Sequence, residues 1–302
     1  IIANKDSIIY KRSGGFANID TKAQITSSTH FPVASLTKQF TATAILLLQE
    51  KGKLSIDDKI SNYVDVPSFA QPVTIKNLLN HTSGIPDYWQ NNIKNNKDSI
   101  HEFLFNADSL LFSPNTDYSY SNTGYFLLGQ IIESVSNETY GEFLKENIFI
   151  PLGMDNTFVY DEKEYDGATG YDENWDVNEY FATTADGGII SAIDDLLLWD
   201  IALSQNKLLP CDIKNKMFQP AVLENGAITK YGFGWEIGLN SISLFDHLTG
   251  KYDGIVTHSG GLTSFAAYNQ FDTRNDTYII LLSNQLRPEL MDLIGEINGE
   301  LY

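Results

Sequence analysis

The 302-residue chain carries a formal net charge of −19 and contains 42% hydrophobic and 20% charged residues. This composition is typical of a soluble globular protein, and the acidic balance excludes nucleic acid as a partner and disfavours anionic membrane surfaces. The longest apolar stretches, at 44–48 and 278–282, are too short to span a bilayer. Cys211 is the only cysteine, which excludes an intramolecular disulfide and a cysteine-based zinc site. The chain begins at Ile1 without a methionine or a signal-peptide pattern, so we expect that processing or trimming removed whatever came first.

Both ends of the chain are predicted to be β-rich. Residues 1–4 and 7–10 flank a turn and predict an antiparallel hairpin. Near the other end, short aromatic and β-branched runs are separated by Gly, Asn and Asp, which favours a meander in one sheet. These runs lie at 231–237, 241–244, 254–258, 264–271 and 277–282. An amphipathic helix is predicted over 289–301.

The middle of the chain is predicted to be helical. Helical patterns lie at 75–79, 99–105, 123–135, 140–147, 193–204 and 213–218. We therefore predict one part built from residues 1–60 and 220–302 around a sheet, and a mostly helical part from 61–219. Ligands favour the boundary between two such parts, so an active site is expected at that seam.

The segment Ser35-Leu36-Thr37-Lys38 begins a predicted helix that runs through 39–50. A lysine in the first turn faces the positive end of the helix dipole and should cost stability. With a spacing of three residues, the amine can reach the hydroxyl, and burial would lower the lysine pKa so that it can accept the serine proton. The alternative interpretation is an N-cap serine beside a solvated lysine, a pattern that occurs about once by chance in a chain of this length.

Tyr120 and Asn122 lie two residues apart, just before the helix predicted from Thr123. On an extended segment both side chains can point into one cleft. A tyrosine has a pKa near ~10 and becomes a useful proton shuttle beside a cation such as Lys38. The alternative is that Asn122 caps the helix and Tyr120 packs in the core.

A third candidate is His258-Ser259-Gly260-Gly261 at the end of a predicted strand. Small residues there let a substrate backbone lie against the edge of the sheet. The backbone N–H groups of Ser35 and Gly261 would then form an oxyanion hole. The alternative is a strand followed by a glycine turn.

The order Ser-x-x-Lys, Tyr-x-Asn, then a basic residue followed by Ser-Gly resembles the serine β-lactamase and penicillin-binding-protein superfamily, in its class C, D,D-peptidase and esterase-like branch. Further stretches that look like family landmarks are 78–84, 120–125, 151–154 and 187–191. The resemblance implies an α+β, β-lactamase/transpeptidase-like fold. In that fold an antiparallel sheet is flanked by helices from both termini and a mostly helical domain is inserted.

The resemblance also implies roles for the matching residues. Ser35 would be the acylated nucleophile, with Lys38 and Tyr120 as the proton-transfer pair. Asn122 would contact a substrate amide, and Gly261 would donate the second oxyanion hydrogen bond. His258 and Ser259, followed by Gly260, would form the subsite for a substrate carboxylate or its equivalent.

Two departures from the family pattern bear on the substrate. His258 stands where many relatives have lysine, and a histidine is largely neutral near pH 7. No match exists for the glutamate with which class A β-lactamases activate the deacylating water, so efficient hydrolysis of class A type is not expected.

The resulting expectation is a serine hydrolase acting through an acyl-enzyme on an ester, an amide, a D-amino-acid peptide or a β-lactam. The alternative is a penicillin-binding or peptide-sensing protein of the same fold without efficient turnover. No cofactor is expected, and no metal, because the histidines lack a pattern such as His-Glu-x-x-His. Family members commonly work in the bacterial envelope or periplasm, which we expect here, with the cytoplasm left open.

Overall fold

The computed structural model describes residues 1–93, 96–160, 165–178, 184–238, 254–287 and 289–302. Its strands are β1 Ile2–Asn4, β2 Ile8–Tyr10, β3 Phe16–Asn18, β4 Ala23–Gln24, β5 Phe31–Pro32, β6 Phe158–Val159, β7 Ile189–Ser191, β8 Glu236–Ile237, β9 Ile255–Leu262, β10 Phe265–Asp272 and β11 Thr277–Ser283. Within the described residues the main sheet has six strands in the order β2-β1-β11-β10-β9-β8. Two smaller sheets have the orders β3-β4 and β5-β7-β6.

The two ends of the chain meet in the main sheet, which is antiparallel as the resemblance implied. β1 pairs with β11, with Ile2 opposite Ile279, and β10 pairs with both β9 and β11. β8 is short and pairs with β9 at Val256 and Thr257. Among the described residues, the edge of β9 beyond Thr257 therefore has no strand beside it, and a ligand can approach there.

The helices are α1 Thr37–Glu50, α2 Ile75–Leu79, α3 Lys97–Asn106, α4 Asn122–Ser136, α5 Tyr140–Leu144, α6 Ile150–Leu152, α7 Thr184–Gly187, α8 Ile193–Ser204, α9 Cys211–Met217 and α10 Glu289–Leu301. Short 3-10 turns lie at Ala34–Leu36, Ile60–Asn62 and Ser68–Ala70. α1 is buried on all sides from Thr37 to Leu48, so it is the central helix of the fold. None of the helices in the described ranges combines the length and the apolar character needed to cross a membrane.

Helices cover both faces of the main sheet. On one face, Ala267 of β10 belongs to the core that contains α1, in which Phe40 stacks on Trp199 of α8 at 4.2 Å between ring centroids. The next residue, Tyr268, points to the opposite face because side chains alternate along a strand. There it packs against Ile294 of α10. The architecture is therefore α+β.

The predicted division of the chain at residues 60 and 219 stays a prediction. The strands of the main sheet lie within 1–60 and 220–302. However, α8, from the predicted helical part, packs against β11, and Asp200 on α8 accepts a hydrogen bond from Asn269 of β10 at 2.8 Å. The two parts thus share a core.

The strand predicted over 231–237 is shorter in the structure, where only Glu236–Ile237 forms β8. Gly234 has a φ of +74°, and a Cβ at this position would lie 2.6 Å from the carbonyl oxygen of Lys38. This close approach to α1 bends the segment, and glycine is the residue that tolerates both the φ and the proximity. The strand predicted at 241–244 lies outside the described residues.

The helix predicted over 140–147 is also interrupted. It ends as a regular α-helix at Leu144 and continues as a π-helical turn over Lys145–Phe149 before α6. Pro151 follows at once and lacks the amide hydrogen that a regular helix would use there. The short strands β3 to β7 were not predicted, because runs of two or three residues carry no readable alternation.

Candidate active site

Ser35 lies on the 3-10 turn Ala34–Leu36, which contacts β9 on one side and α7 on the other. Ala34 has a φ of +49°, in the left-handed region that residues other than glycine seldom adopt. Such a conformation persists only where the surrounding structure holds it. Here the amide of Val33 donates to the carbonyl of Ile189 in β7 at 3.0 Å, which fixes the start of the turn. The main chain therefore sets the position of Ser35.

Lys38 lies in the first turn of α1, as predicted, and its side chain is fully buried. Its amine donates to three acceptors: the Oγ of Ser35 at 3.2 Å, the Oδ1 of Asn122 at 2.8 Å and the carbonyl oxygen of Asp186 at 2.6 Å. A neutral amine has two N–H bonds and one lone pair. If Asn122 and Asp186 keep their hydrogen bonds, the lone pair points at Ser35.

Opposing effects act on the pKa of Lys38. Burial lowers the pKa of Lys38 to about 8, whereas the nearby carboxylates of Asp186 and Asp87 act to raise it. A lysine with this pKa is neutral in an appreciable fraction of molecules near neutral pH. The prediction that burial lowers this pKa is confirmed.

Tyr120 lies beside this pair. The amine of Lys38 is 4.9 Å from the centroid of the Tyr120 ring. Burial raises the pKa of Tyr120 well above its ordinary value, and a hydrogen bond with Ser35 acts in the opposite direction. The phenol therefore keeps its proton, so Tyr120 can relay a proton as a neutral hydroxyl rather than act as a phenolate.

Asn122 does not cap α4; that role belongs to Ser121, whose Oγ accepts from the amide of Gly124 at 3.1 Å. The side chain of Asn122 is thereby left to bind Lys38. Asp87, which the sequence analysis missed, accepts from the amides of Asn122 at 2.7 Å and Thr123 at 3.2 Å. Its carboxylate lies where the helix dipole favours negative charge, and it anchors the start of α4. No sequence pattern pairs an acid with a helix that begins 35 residues later.

His81 contacts the Tyr120–Asn122 segment directly. Its ring is fully buried, 4.3 Å from the ring centroid of Tyr120, and its Nδ1 accepts from the amide of Ser121 at 3.1 Å. Burial lowers the pKa of His81 well below its ordinary value, so the ring is neutral. His81 thus holds the segment that carries Tyr120 in place.

His258 is 1% exposed and lies between two hydrogen-bond partners. Its Nδ1 is 2.8 Å from the carbonyl oxygen of Ser259, so that nitrogen carries the proton, and its Nε2 accepts from the hydroxyl of Tyr231 at 2.8 Å. Burial, reinforced by Lys38, lowers the pKa of His258 to about 3. The imidazole is therefore neutral at physiological pH and offers a substrate no positive charge.

Because His258 is neutral in the fold, it should make the protein less stable in acid. Its pKa of about 3 in the folded state lies below the ordinary 6.5 of the unfolded state, so the unfolded chain binds the proton first as the pH falls. Between those values the free energy of unfolding should fall by about 1.4 kcal/mol per pH unit. When the pH is lowered from about 7 to about 5, we expect the melting temperature of His258→Gln to fall less than that of the unmodified protein. Equal losses in calorimetry would contradict a buried neutral imidazole.

The two glycines after Ser259 differ in their surroundings. A Cβ on Gly260 would lie 2.3 Å from the carbonyl oxygen of Val33, so this glycine allows the nucleophile turn to pack against β9. A Cβ on Gly261 would meet only the Cδ1 of Leu286, at 3.9 Å, so the space beside Gly261 is open. Ser259 is exposed and borders a separate pocket of about 180 Å³ next to α10.

A pocket of about 220 Å³ opens over Ser35. The predicted residues that line it are Ser35, Tyr120, Asn122 and Gly261, and the others are Ala34, Asp87, Trp89, Gln90, Asp186, Gly187 and Leu262. The other predicted site residues do not line this pocket; they are Lys38, His258, Ser259 and Gly260. Across the described ranges, no three His, Cys, Asp or Glu side chains are grouped so that they could hold a metal ion.

The chain is similar to several known proteins over most of its length. A family profile described as Beta-lactamase matches residues 1–297. The chain is 34% identical over 314 residues to penicillin-binding protein 4* of Bacillus subtilis (strain 168), which covers 94% of this chain and 67% of that protein. It is 28% identical to a D-aminopeptidase of Brucella anthropi over 77% of this chain and 47% of that protein. A solved penicillin-binding protein from Bacillus halodurans has a TM-score of 0.83 at 28% identity, covering 100% of this chain and 94% of the other.

The chain therefore belongs to the beta-lactamase family, and the resemblance seen in its motifs is confirmed. Its fold is that of the β-lactamases and penicillin-binding proteins. The chain spans about half the length of the D-aminopeptidase, at 47%.

Proposed function

We propose that this protein is a serine hydrolase that forms an acyl-enzyme on Ser35. The observation that carries the proposal is the hydrogen bonding of Lys38. Two of its three acceptors, Asn122 and Asp186, are fixed by the fold, and the third is the Oγ of Ser35. Loss of one proton from Lys38 leaves a base aimed at the nucleophile.

The reaction then proceeds in two steps, acylation of Ser35 and hydrolysis of the acyl-enzyme. The Oγ of Ser35 attacks the carbonyl carbon and gives its proton to Lys38, while the backbone N–H groups of Ser35 and Gly261 stabilise the oxyanion. The proton passes through the hydroxyl of Tyr120 to the leaving group, and the bond between the carbonyl carbon and the leaving group breaks. A water molecule then attacks the carbonyl carbon of the acyl-enzyme ester and gives a proton to the Oγ of Ser35 through Tyr120 and Lys38. The bond between that carbon and the Oγ breaks, which releases the acid and restores Ser35.

The substrate class is an ester, an amide, a D-amino-acid peptide or a β-lactam. Relatives described as a D-aminopeptidase and as penicillin-binding proteins support this range. The buried, neutral His258 offers no positive charge to a substrate carboxylate, which favours esters and amides over β-lactams. The relatives named as penicillin-binding proteins also favour work in the bacterial envelope.

A panel of p-nitrophenyl esters, D-amino-acid amides, D-alanyl-D-alanine peptides and a chromogenic cephalosporin tests the proposal. Steady release of product from at least one compound supports the hydrolase. A single burst equal to the protein concentration, with no steady phase, would favour the penicillin-binding or sensor alternative. No release of product from any compound, in a burst or in a steady phase, would reject the acyl-enzyme.

Tyr120→Phe tests the proton relay. The variant keeps the ring that contacts His81 and removes the hydroxyl, so the fold should be retained. We expect kcat to fall by about 10²-fold, a usual loss for a positioned acid-base group, with little change in melting temperature. Tyr118→Phe removes a hydroxyl from a neighbouring tyrosine outside the pocket and should leave kcat unchanged. An unaltered kcat in Tyr120→Phe would exclude the phenol from the mechanism.

A further inference from the structure

Asp186 is a buried acid that the proposed mechanism uses only through its main chain. It lies on α7, is 3% exposed, and its carbonyl oxygen accepts from the amine of Lys38 at 2.6 Å. The fold thereby holds Asp186 in hydrogen-bond contact with the amine whose charge the mechanism depends on, and Asp186 lines the same pocket as Ser35. A carboxylate in such a site requires hydrogen bonds or a cation to remain ionised.

The hydrogen bonds available to this carboxylate are few. The hydroxyl of Tyr88 donates to its Oδ2 at 2.6 Å. Its Oδ1 is buried and, within the part of the chain that the structure describes, has no hydrogen-bond partner. Burial raises the pKa of Asp186 to about 6, and Lys38 is the strongest influence acting to lower it. The ammonium of Lys38 is thus the main compensation for this negative charge.

Asp87, the other acid near Lys38, is engaged elsewhere. Its Oδ1 accepts from the amides of Asn122 and Thr123, and its Oδ2 accepts from the amide of Gln90 at 3.4 Å. The carboxylate of Asp87 is therefore engaged by the main chain at the start of α4. Asp186 has no comparable set of amide donors.

Among the described residues, the other titratable groups around Lys38 are two tyrosines and two histidines, and none of the four carries a charge near neutral pH. Burial raises the pKa of each tyrosine and lowers the pKa of each histidine in this set. They are Tyr120 and Tyr125 at the start of α4, His81 before it, and His258 on β9.

We propose that Asp186 is a positioning residue whose carboxylate controls the charge of Lys38 and thereby the pH range in which Ser35 is activated. The kinetic part of this inference rests on the proposed function; the electrostatic part does not. An ionised Asp186 favours the ammonium form of Lys38, which cannot accept the serine proton. Removing that negative charge should let Lys38 lose its proton at a lower pH.

Asp186→Asn tests the electrostatic part directly, because asparagine keeps the shape and can still accept from Tyr88. The titration of Lys38 is followed by NMR of the protein labelled with ¹³C at lysine Cε, and the signal is assigned by its absence in Lys38→Arg. We expect the midpoint to move down by about 1 to 3 pH units, the usual effect of an adjacent opposite charge. An unchanged midpoint would overturn the proposal.

The kinetic part is tested by burst acylation with p-nitrophenyl acetate, an uncharged substrate. The acid limb of the pH profile should move down with the titration of Lys38. At about pH 6.5 the variant should acylate faster than the unmodified protein, and at about pH 9 the two rates should agree. A purely structural role for Asp186 would instead lower the rate at every pH.

Two further variants make the test decisive. Asp200→Asn is a matched control, because Asp200 is also fully buried, has one unpartnered oxygen in the described structure and lies on α8 away from the pocket. It should leave the midpoint of Lys38 unchanged. Asp186→Ser decides the matter if Asp186→Asn does not fold: serine also removes the carboxylate and keeps a polar partner for Tyr88, so the midpoint of Lys38 should again fall.

The two proposals fail separately. If the midpoint falls but no acyl adduct forms in any protein, the electrostatic role stands and the hydrolase is rejected. If the unmodified protein is acylated but neither Asp186→Asn nor Asp186→Ser moves the midpoint, the hydrolase stands and the role of Asp186 is rejected.

Discussion

Ser35→Ala is expected to abolish covalent labelling by a fluorophosphonate and to lower ester hydrolysis by about 10³-fold or more. The Oγ of Ser35 is the atom that forms the new bond, and among the described residues that line the pocket Ser35 is the only serine or threonine. Alanine occupies less space than serine, so the turn and α1 should keep their structure. Intact-mass spectrometry measures the adduct directly, and a hydrolysis assay measures the remaining rate.

The matched control for this variant is Ser28→Ala, which removes an exposed hydroxyl in the segment before the nucleophile turn. It should be labelled as fully as the unmodified protein. An adduct of the same mass on Ser35→Ala would show that another residue reacts, and the assignment of the nucleophile would be wrong.

Lys38→Ala is expected to slow acylation by at least ~100-fold, because the serine then lacks a base at hydrogen-bond distance. The truncation leaves space where the amine was, and the carbonyl of Asp186 and the amide of Asn122 remain as partners for a small amine. Added methylamine should therefore restore part of the rate. The same amine should do nothing for Ser35→Ala, which lacks the nucleophile itself.

Lys51→Ala provides the control for Lys38→Ala. Lys51 follows the last turn of the same helix, is exposed, and bonds to the Oδ1 of Asn147 at 2.6 Å. Its removal should leave acylation unchanged. Unchanged acylation in Lys38→Ala as well would exclude Lys38 as the base.

The sequence was sufficient to predict the contact between Ser35 and Lys38 because the two residues are close along the chain. Ser35 and Lys38 are three residues apart, and helix geometry alone brings such a pair together. The partners that give Lys38 its chemistry are far along the chain: Asn122 is 84 residues away and Asp186 is 148. Contacts at that separation are fixed by tertiary packing, and composition or periodicity does not reveal them.

The role of His258 shows a second limit. A strand that ends at His258 was predicted, but β9 continues to Leu262, so His258 lies in the middle of the strand. Its neutral state depends on burial beside Tyr231 and on the nearness of Lys38, neither of which is visible in the motif. The long strands followed from their apolar pattern, whereas the bend at Gly234 depends on contact with α1.

The left-handed backbone at Ala34 has a consequence for engineering. Glycine adopts that conformation freely, so Ala34→Gly would relieve local strain while adding freedom to the unfolded chain. The substitution would also make the turn that carries Ser35 more flexible, so the Oγ of Ser35 would sample many orientations. Backbone strain at Ala34 therefore bears on thermal stability, whereas the rigidity of its turn bears on turnover. A stabilised variant should be built from substitutions elsewhere in the chain.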